Sequence, residues 1–248
     1  MTMNPNAISK TWYVDAFGDQ YLSIYRHRSD DAAMAEIADL FAYLNLQGTE
    51  RILDVCCGNA RHLAAMRRLG FDAYGMDLSP QLLAEASTRP EADARVVRAD
   101  IRFSPFVPRF DVVTNLFSSF GYFDEVENVA AFRELARGVV SGGILVLDHA
   151  NRTYVKATLE PQTVEHRDDV TIHHRRSIEG DYVVKLTTVR ESDGTQRTQG
   201  ERLRLYRETE MQHLFQSAGF VDIRSVGSFT GTPLTPDSPR MITIGVKA

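Results

Sequence analysis

Arg51-Ile-Leu-Asp-Val-Cys-Cys-Gly-Asn-Ala-Arg-His62 begins as an apolar strand, narrows to small residues and runs on into a helical pattern. That succession puts a loop at the carboxyl end of a strand, which is where open α/β sheets bind their ligands. Small side chains at Cys56, Gly58 and Ala60 let the backbone approach a bound molecule, and the helix start behind them offers N–H groups to an anionic one. A dinucleotide-binding turn needs glycine at positions 56, 58 and 61; Cys56 and Arg61 occupy two of them, so a pyrophosphate turn is disfavoured.

Outward from this loop the chain alternates short apolar runs with helical spacing. Strands are expected at Arg51–Cys56, Asp72–Asp77, Arg95–Arg98, Phe110–Asn115 and Gly143–His149, and helices at Ala60–Leu69, Ser79–Arg89 and Glu125–Val139. Strands separated by helices of this length make βαβ units, and so an α/β fold with a parallel sheet covered on both faces. Before them, Trp12 to Leu46 reads as two helices, with Ser29 and Asp30 as a cap between them and Gly48 ending the second. After Asn151 the period changes to two, in Val164–Ile178, Tyr182–Glu191 and Gly200–Tyr206, with turns at Glu179-Gly180-Asp181 and Ser192-Asp193-Gly194. A helix (Glu208–Ala218), a strand (Phe220–Val226), a Gly/Pro/Ser-rich loop and a last strand (Met241–Val246) follow. The reading is an N-terminal helical segment over residues 1–46 and one α/β domain over 47–248, interrupted by an antiparallel β meander at about 160–206.

Three acids stand at successive strand ends. Asp54 lies in the opening strand, Asp77 follows Gly58 by nineteen residues, and Asp100 closes Val97-Arg-Ala-Asp-Ile101. An acid at the station of Asp77 can accept both hydroxyls of a ribose. Asp100 can accept from an adenine amino group, with Leu78 and Ile101 packing on the ring faces. A lone strand-end aspartate is usually a cap or turn residue, but three along one sheet edge are far more specific.

Together these residues resemble a class I S-adenosylmethionine-dependent methyltransferase, in the cysteine-bearing form of bacterial small-molecule enzymes. Leu53 to His62 is similar to the family's first motif, departing from it at Cys56 and Ala60, both small. The similarity continues through Trp12–Tyr25, which resembles an N-terminal lid, Asn115–Phe123 after the fourth strand, Val140-Ser-Gly-Gly-Ile144 and Ala218-Gly-Phe220. It implies a Rossmann-like seven-stranded sheet, mostly parallel with the last strand antiparallel. It also implies S-adenosyl-L-methionine as cofactor, with Asp54, Cys56 and Gly58 at the methionyl end, Asp77 at the ribose and Asp100 with Ile101 at the adenine.

Methyl transfer from a sulfonium demands mainly alignment in a dry pocket, so few catalytic groups are needed. Asn115, Phe117, Ser119 and Tyr122 belong to the segment facing the methyl group, and an aromatic face there favours a sulfonium by cation–π attraction. Ser118 to Tyr122 looks like a segment of sugar-amine N-methyltransferases, in which an aromatic lid residue closes the site; Tyr13, Phe17 and Tyr21 are candidates for that part. His149, at the end of the fifth strand, is the candidate general base, with Tyr122 and Tyr13 as alternatives. Among the basic residues of the meander Arg175, and beyond it Arg240, are candidates for holding an acidic substrate. No Asn-Pro-Pro-Tyr run occurs at Asn115, which weighs against a nucleobase acceptor.

The chain has 248 residues, with 28 basic against 33 acidic side chains and a net charge of -5, so there is no electrostatic footprint for nucleic acid. Residues 1–150 carry the acidic excess and residues 151–248 are nearly neutral. Cys56 and Cys57 are the only cysteines and adjacent, which reads as two small thiols and no metal site. Neither a signal peptide nor a membrane-length apolar run is seen, so the expected setting is cytoplasmic, with no membrane partner. The expectation is N- or O-methylation of a small-molecule substrate, by a protein that can form a homodimer. Two other readings compete: a nicotinamide-dependent oxidoreductase, which the missing glycine at Arg61 opposes, and a binding protein without turnover.

Overall fold

The computed structural model describes residues 8–18, 29–167 and 170–248. Its elements are α1 (Trp12–Ala16), α2 (Asp30–Leu44), β1 (Arg51–Val55), α3 (Arg61–Arg68), β2 (Asp72–Asp77), α4 (Pro80–Ala86), β3 (Val96–Arg98), β4 (Phe110–Asn115), α5 (Glu125–Gly138) and β5 (Val139–Ala150). They continue as α6 (Arg152–Thr158), β6 (Gln162–Arg167), β7 (Val170–Glu179), β8 (Tyr182–Glu191), β9 (Gln196–Arg204), α7 (Glu208–Ser217), β10 (Phe220–Val226) and β11 (Arg240–Lys247). Seven strands form one sheet in the order β10-β11-β5-β4-β1-β2-β3, and β6 to β9 form a second, antiparallel one. β1 pairs parallel with β2 and β4, whereas β11 runs antiparallel to both β5 and β10.

Alternation along the central strands builds two cores. Leu53 and Val55 of β1, Val113 of β4 and Leu145 and Leu147 of β5 pack with Phe132 of α5 and Phe215 of α7. Ile52, Val112, Val146, Ile242 and Ile244 pack instead with Ile37 and Leu40 of α2 and Leu63 and Met66 of α3. β1 is buried from its second residue onward, which is why it reads as a continuous apolar run. β1, β4 and β5 are the middle of the sheet, so the loops at their carboxyl ends converge on one edge.

Several elements differ from the expectations. Helix α2 is capped by Ser29, whose Oγ accepts from Ala32 N at 3.1 Å, but it ends at Asn45 in the left-handed region, before Gly48. Asparagine tolerates that conformation because its short polar side chain bonds locally. Helix α6 was not expected from the pattern: it has no buried residue and so no apolar stripe, and it starts because Asn151 Oδ1 accepts from Thr153 N at 3.1 Å. The run Val164–Ile178 holds two strands, β6 and β7, paired antiparallel from Gln162 with Arg175 to Arg167 with Val170. The last meander strand, β9, starts at Gln196, before the expected Gly200, and ends at Arg204, two residues before the expected Tyr206. Among the described residues no helix is long and apolar enough to cross a membrane.

Candidate active site

The loop leaving β1 takes its shape from three left-handed residues, Cys56 (φ 61°), Gly58 (φ 56°) and Ala60 (φ 62°). A side chain in that region costs about 1–2 kcal/mol, and the loop is held by bonds to its neighbours. Cys57 N donates to Met76 O at 3.0 Å, and Gly58 N donates to Asp77 Oδ2 at 2.8 Å. Ser79 N donates to the other oxygen, Asp77 Oδ1, at 2.8 Å. Asp77 thus joins the first loop to the second, and its carboxylate is oriented by backbone at both oxygens. Cys57 fits beside it because residue 75 has no side chain: a Cβ there would lie 2.7 Å from Cys57 Sγ and 3.1 Å from a Leu63 methyl. Gly75→Ala is therefore expected to destabilise the fold by about 1–3 kcal/mol, seen as a lower denaturant midpoint; an unchanged midpoint would show that the loop can yield.

The three strand-end acids have different environments. Asp54 is buried and accepts from Thr114 Oγ1 at 3.0 Å. Burial pushes its carboxyl up to about 7, against the pull of the Thr114 bond and the charge of Arg61. Burial also raises Asp77, opposed by the N–H groups of Ser79 and Gly58. Burial raises Asp100 too, but hydrogen bonds from Arg102 outweigh it and leave that carboxyl below its ordinary value. Arg102 Nη2 lies 2.7 Å from Asp100 Oδ2, so the third acid is already ion-paired.

Two hollows meet at this edge. The smaller, about 80 Å³, is lined by Asp77, Leu78, Ser79, Asp100, Ile101 and Tyr13 among others. The larger, about 450 Å³, reaches from Asp54 and the Cys56–Asn59 loop past Phe117 and Asp148 to Arg176 and Lys185 of the meander. Phe17, Cys56, Gly58, Ser119 and Tyr122 line both, so the two hollows share one mouth. Phe17 and Tyr122 stack there at 5.7 Å and 22°, and Trp12 meets Tyr122 edge-on at 4.8 Å. The free thiol of Cys56 borders the mouth, while Cys57 is buried behind it.

Of the expected site residues, Asp54, Cys56, Gly58, Asp77, Leu78, Asp100, Ile101, Phe117, Ser119, Tyr122 and Arg240 line one or both hollows. Four others need correction. His149, the expected base, is fully buried, bonded through Nε2 to Arg204 O at 2.8 Å, and lines neither hollow. Successive strand residues point to opposite faces, and it is its neighbour Asp148 that reaches the larger cavity. The same phase error separates exposed Arg175 from Arg176, which does line that cavity. Asn115 is buried under the loop, where its Nδ2 donates to Val55 O at 3.0 Å; it supports the site and does not line it. Tyr13 borders only the smaller hollow, and its hydroxyl accepts from Arg102 Nη2 at 3.0 Å, so it has no place as a base in the larger cavity. Tyr21 lies outside the described residues.

Asp148 also borders the larger cavity, although its place in the sequence drew no expectation. Its signal was present, since Leu145-Val-Leu-Asp148 ends a buried strand with an acid much as Ile52-Leu-Asp54 does. Its Oδ2 accepts from Phe117 N at 2.9 Å and from Arg240 Nη1 at 2.6 Å. Arg240 lies between the rings of Phe117 and Phe229, 4.9 and 4.7 Å from their centres. Next to it, Glu36 bonds His62 at 2.9 Å, and burial holds His62 down at about 4, neutral at physiological pH.

Residues 52–143 match the family described as a methyltransferase domain. The chain is 32% identical over 133 residues to dTDP-3-amino-3,4,6-trideoxy-alpha-D-glucopyranose N,N-dimethyltransferase of Streptomyces venezuelae, covering 52% of this chain and 55% of that one. It is 29% identical over 160 residues to glycine/sarcosine N-methyltransferase of Parasynechococcus marenigrum, covering 60% and 56%. These matches span only about half the length of the curated relatives. Among solved structures, the sugar N-methyltransferase of a Streptoalloteichus species superposes with a TM-score of 0.73 at 25% identity, over 100% of this chain and 98% of that one. An S-adenosylmethionine-dependent methyltransferase of Clostridium acetobutylicum superposes with a TM-score of 0.77 over 92% and 96%, at 16% identity, a likeness of fold.

Proposed function

From a chain that carries a methyltransferase domain on the class I S-adenosylmethionine-dependent methyltransferase fold, we propose an enzyme that methylates a nitrogen of a small molecule with S-adenosyl-L-methionine as donor. The observation that carries this reading is the shared mouth: the hollow at Asp77 and Asp100 opens, through Cys56, Gly58, Ser119 and Tyr122, into a separate cavity large enough for a metabolite. The residues fit the cofactor. Asp77 is pre-oriented by two backbone N–H groups and has acceptor sites left for ribose hydroxyls. Leu78 and Ile101 offer apolar flanks to a base, and Cys56 to Gly58 allow close backbone approach toward Asp54. When bound, the cofactor supplies an activated methyl group. The protein's part is to align the acceptor, to present the Tyr122 and Phe17 rings to positive charge, worth about 0.5–2 kcal/mol, and to exclude water. Relatives that methylate amino sugars and glycine support nitrogen as the acceptor atom.

Helix α1 serves as the lid in this reading. Ser79 Oγ donates to Phe17 O at 2.7 Å, tying the end of α1 to the ribose station. The hollow of about 80 Å³ beside Asp77 is smaller than the roughly 300 Å³ at the low end of ligand pockets, so cofactor binding must shift Phe17 and the helix behind it. Trp12, the chain's only tryptophan, is 6% exposed and packs on Tyr122. Adding S-adenosylhomocysteine is therefore expected to change the intrinsic tryptophan emission, with a midpoint equal to the calorimetric Kd. Binding that leaves the emission unchanged would remove the lid from the account. Isothermal calorimetry with S-adenosylhomocysteine, followed by methyl transfer to a panel of small amines, tests the function itself; no binding by the folded protein would end it.

A further inference from the structure

We propose that Asp148 is a catalytic residue of this site: its Oδ1 receives the ammonium group of the methyl acceptor and takes the proton that frees the nitrogen lone pair, so the substrate class is a primary or secondary amine. The proposal rests on the reading of the two hollows as a methyl-transfer site. Asp148 lies two residues before the end of β5, with a side chain that is almost fully buried yet borders the larger cavity. Both hydrogen bonds that it accepts, from Phe117 N and Arg240 Nη1, fall on Oδ2. Among the described residues nothing donates to Oδ1, and Asp148 borders the cavity, so that oxygen takes its donor from whatever occupies the cavity. An ammonium N–H in the cavity meets that need, whereas an ether or a carboxylate does not.

The surroundings tune the group. Burial raises the Asp148 carboxyl to about 6, Arg240 and the Phe117 amide act against that, and Glu36 of α2 adds to it. Glu36 is in turn held by His62, neutral at physiological pH, and by Arg61 at 3.3 Å, and Asp54 borders the same cavity. Near neutral pH Asp148 is therefore an anion that binds a cation, yet basic enough to accept a proton. In the step proposed, one N–H bond of the ammonium breaks, its electron pair stays on nitrogen, and the proton forms an O–H bond with Oδ1. The lone pair then forms the N–C bond as the C–S bond breaks, with that pair going to sulfur. The methylated product leaves as an ammonium ion, and the proton on Asp148 passes to solvent.

The test uses the full chain saturated with S-adenosylhomocysteine and three isosteric pairs: glucosamine against glucose, glycine against glycolate, and benzylamine against benzyl alcohol. For at least one pair the amine is expected to bind about tenfold or more tighter than its hydroxyl partner, the worth of one charge-assisted hydrogen bond. That preference should vanish in Asp148→Asn, whose amide still accepts from Phe117 N, while S-adenosylhomocysteine affinity stays within about threefold. In the unmodified protein the preference should fade as pH falls through about 6, which keeps the test available if the variant does not fold. Failure to bind S-adenosylhomocysteine counts against the proposed function. Binding of it with no amine preference in any pair, or a preference that survives in Asp148→Asn, overturns the role of Asp148 alone.

Discussion

With a ribose held at Asp77 as proposed, replacing Asp77 with alanine is expected to weaken S-adenosylhomocysteine binding by about two to four orders of magnitude, because a hydrogen bond to a charged group is worth about 1.5–3 kcal/mol and two would be lost together. The geometry enlarges the effect. Asp77 also holds Gly58 N and Ser79 N at 2.8 Å each, so its loss releases the loop that lines both hollows. Asp77→Asn separates the contributions, since the amide oxygen keeps one acceptor and the NH₂ group repels one of the two N–H donors. Calorimetry should rank the unmodified protein first, the asparagine variant second and the alanine variant last. A Kd for Asp77→Ala near that of the unmodified protein would place the nucleoside elsewhere. Melting temperatures measured in parallel distinguish lost contacts from a lost loop.

Truncating Arg204 to alanine is expected to cost about 2–4 kcal/mol of stability and to loosen the meander from the main sheet. Its side chain is 9% exposed and ends β9 among three carboxylates: Glu210 at 3.1 Å, Glu125 at 3.3 Å and Asp181 at 3.8 Å. Nη1 also donates to Leu205 O at 2.9 Å, and the guanidinium lies 4.7 Å over the Tyr206 ring. The cost stays below that of a fully buried pair because the three carboxylates are partly exposed and regain water. Arg204 N and Gly121 O are bonded at 2.8 Å, so the same residue ties the meander to the segment bearing Ser119 and Tyr122. Urea unfolding should show the lower midpoint, with Arg204→Lys intermediate; a loss under about 1 kcal/mol would mean that packing and backbone bonds, and not this guanidinium, hold the meander.

Much of the cofactor side was legible in the residues. A strand buried on both faces has to be a continuous apolar run, and a loop that a ligand approaches has to be built of small residues. Leu53 to Ala60 satisfies both conditions within a single stretch, and Asp77 follows at the distance a βαβ unit sets. The acids at 54, 77 and 100 line the hollows because parallel strands of one sheet bring their carboxyl ends to one edge whatever lies between them.

Along the larger cavity two expected residues lie one position away from the side chain that borders it. His149 stood in for Asp148, and Arg175 for Arg176, each beside the side chain that borders the cavity. Periodicity gives a strand's alternation but not its phase when both faces are buried, as they are at the end of β5, or when both carry polar side chains, as in β7. Helix α6 escaped for a related reason: with no residue to bury, it leaves no stripe in the pattern.

The α/β class, the alternation of strands and helices, the loop at Cys56 to Ala60 and the acid at Asp77 are readable from the residues, because each follows from local chemistry and short-range spacing. Long-range packing sets the rest: Asp148 borders the cavity with both of its side-chain bonds on one oxygen, and His149 is spent on the Arg204 carbonyl. It also decided that Phe17 and Tyr122 stand where the two hollows meet. Those facts depend on which face of a strand meets which neighbour, and that choice belongs to the packing of distant segments against one another.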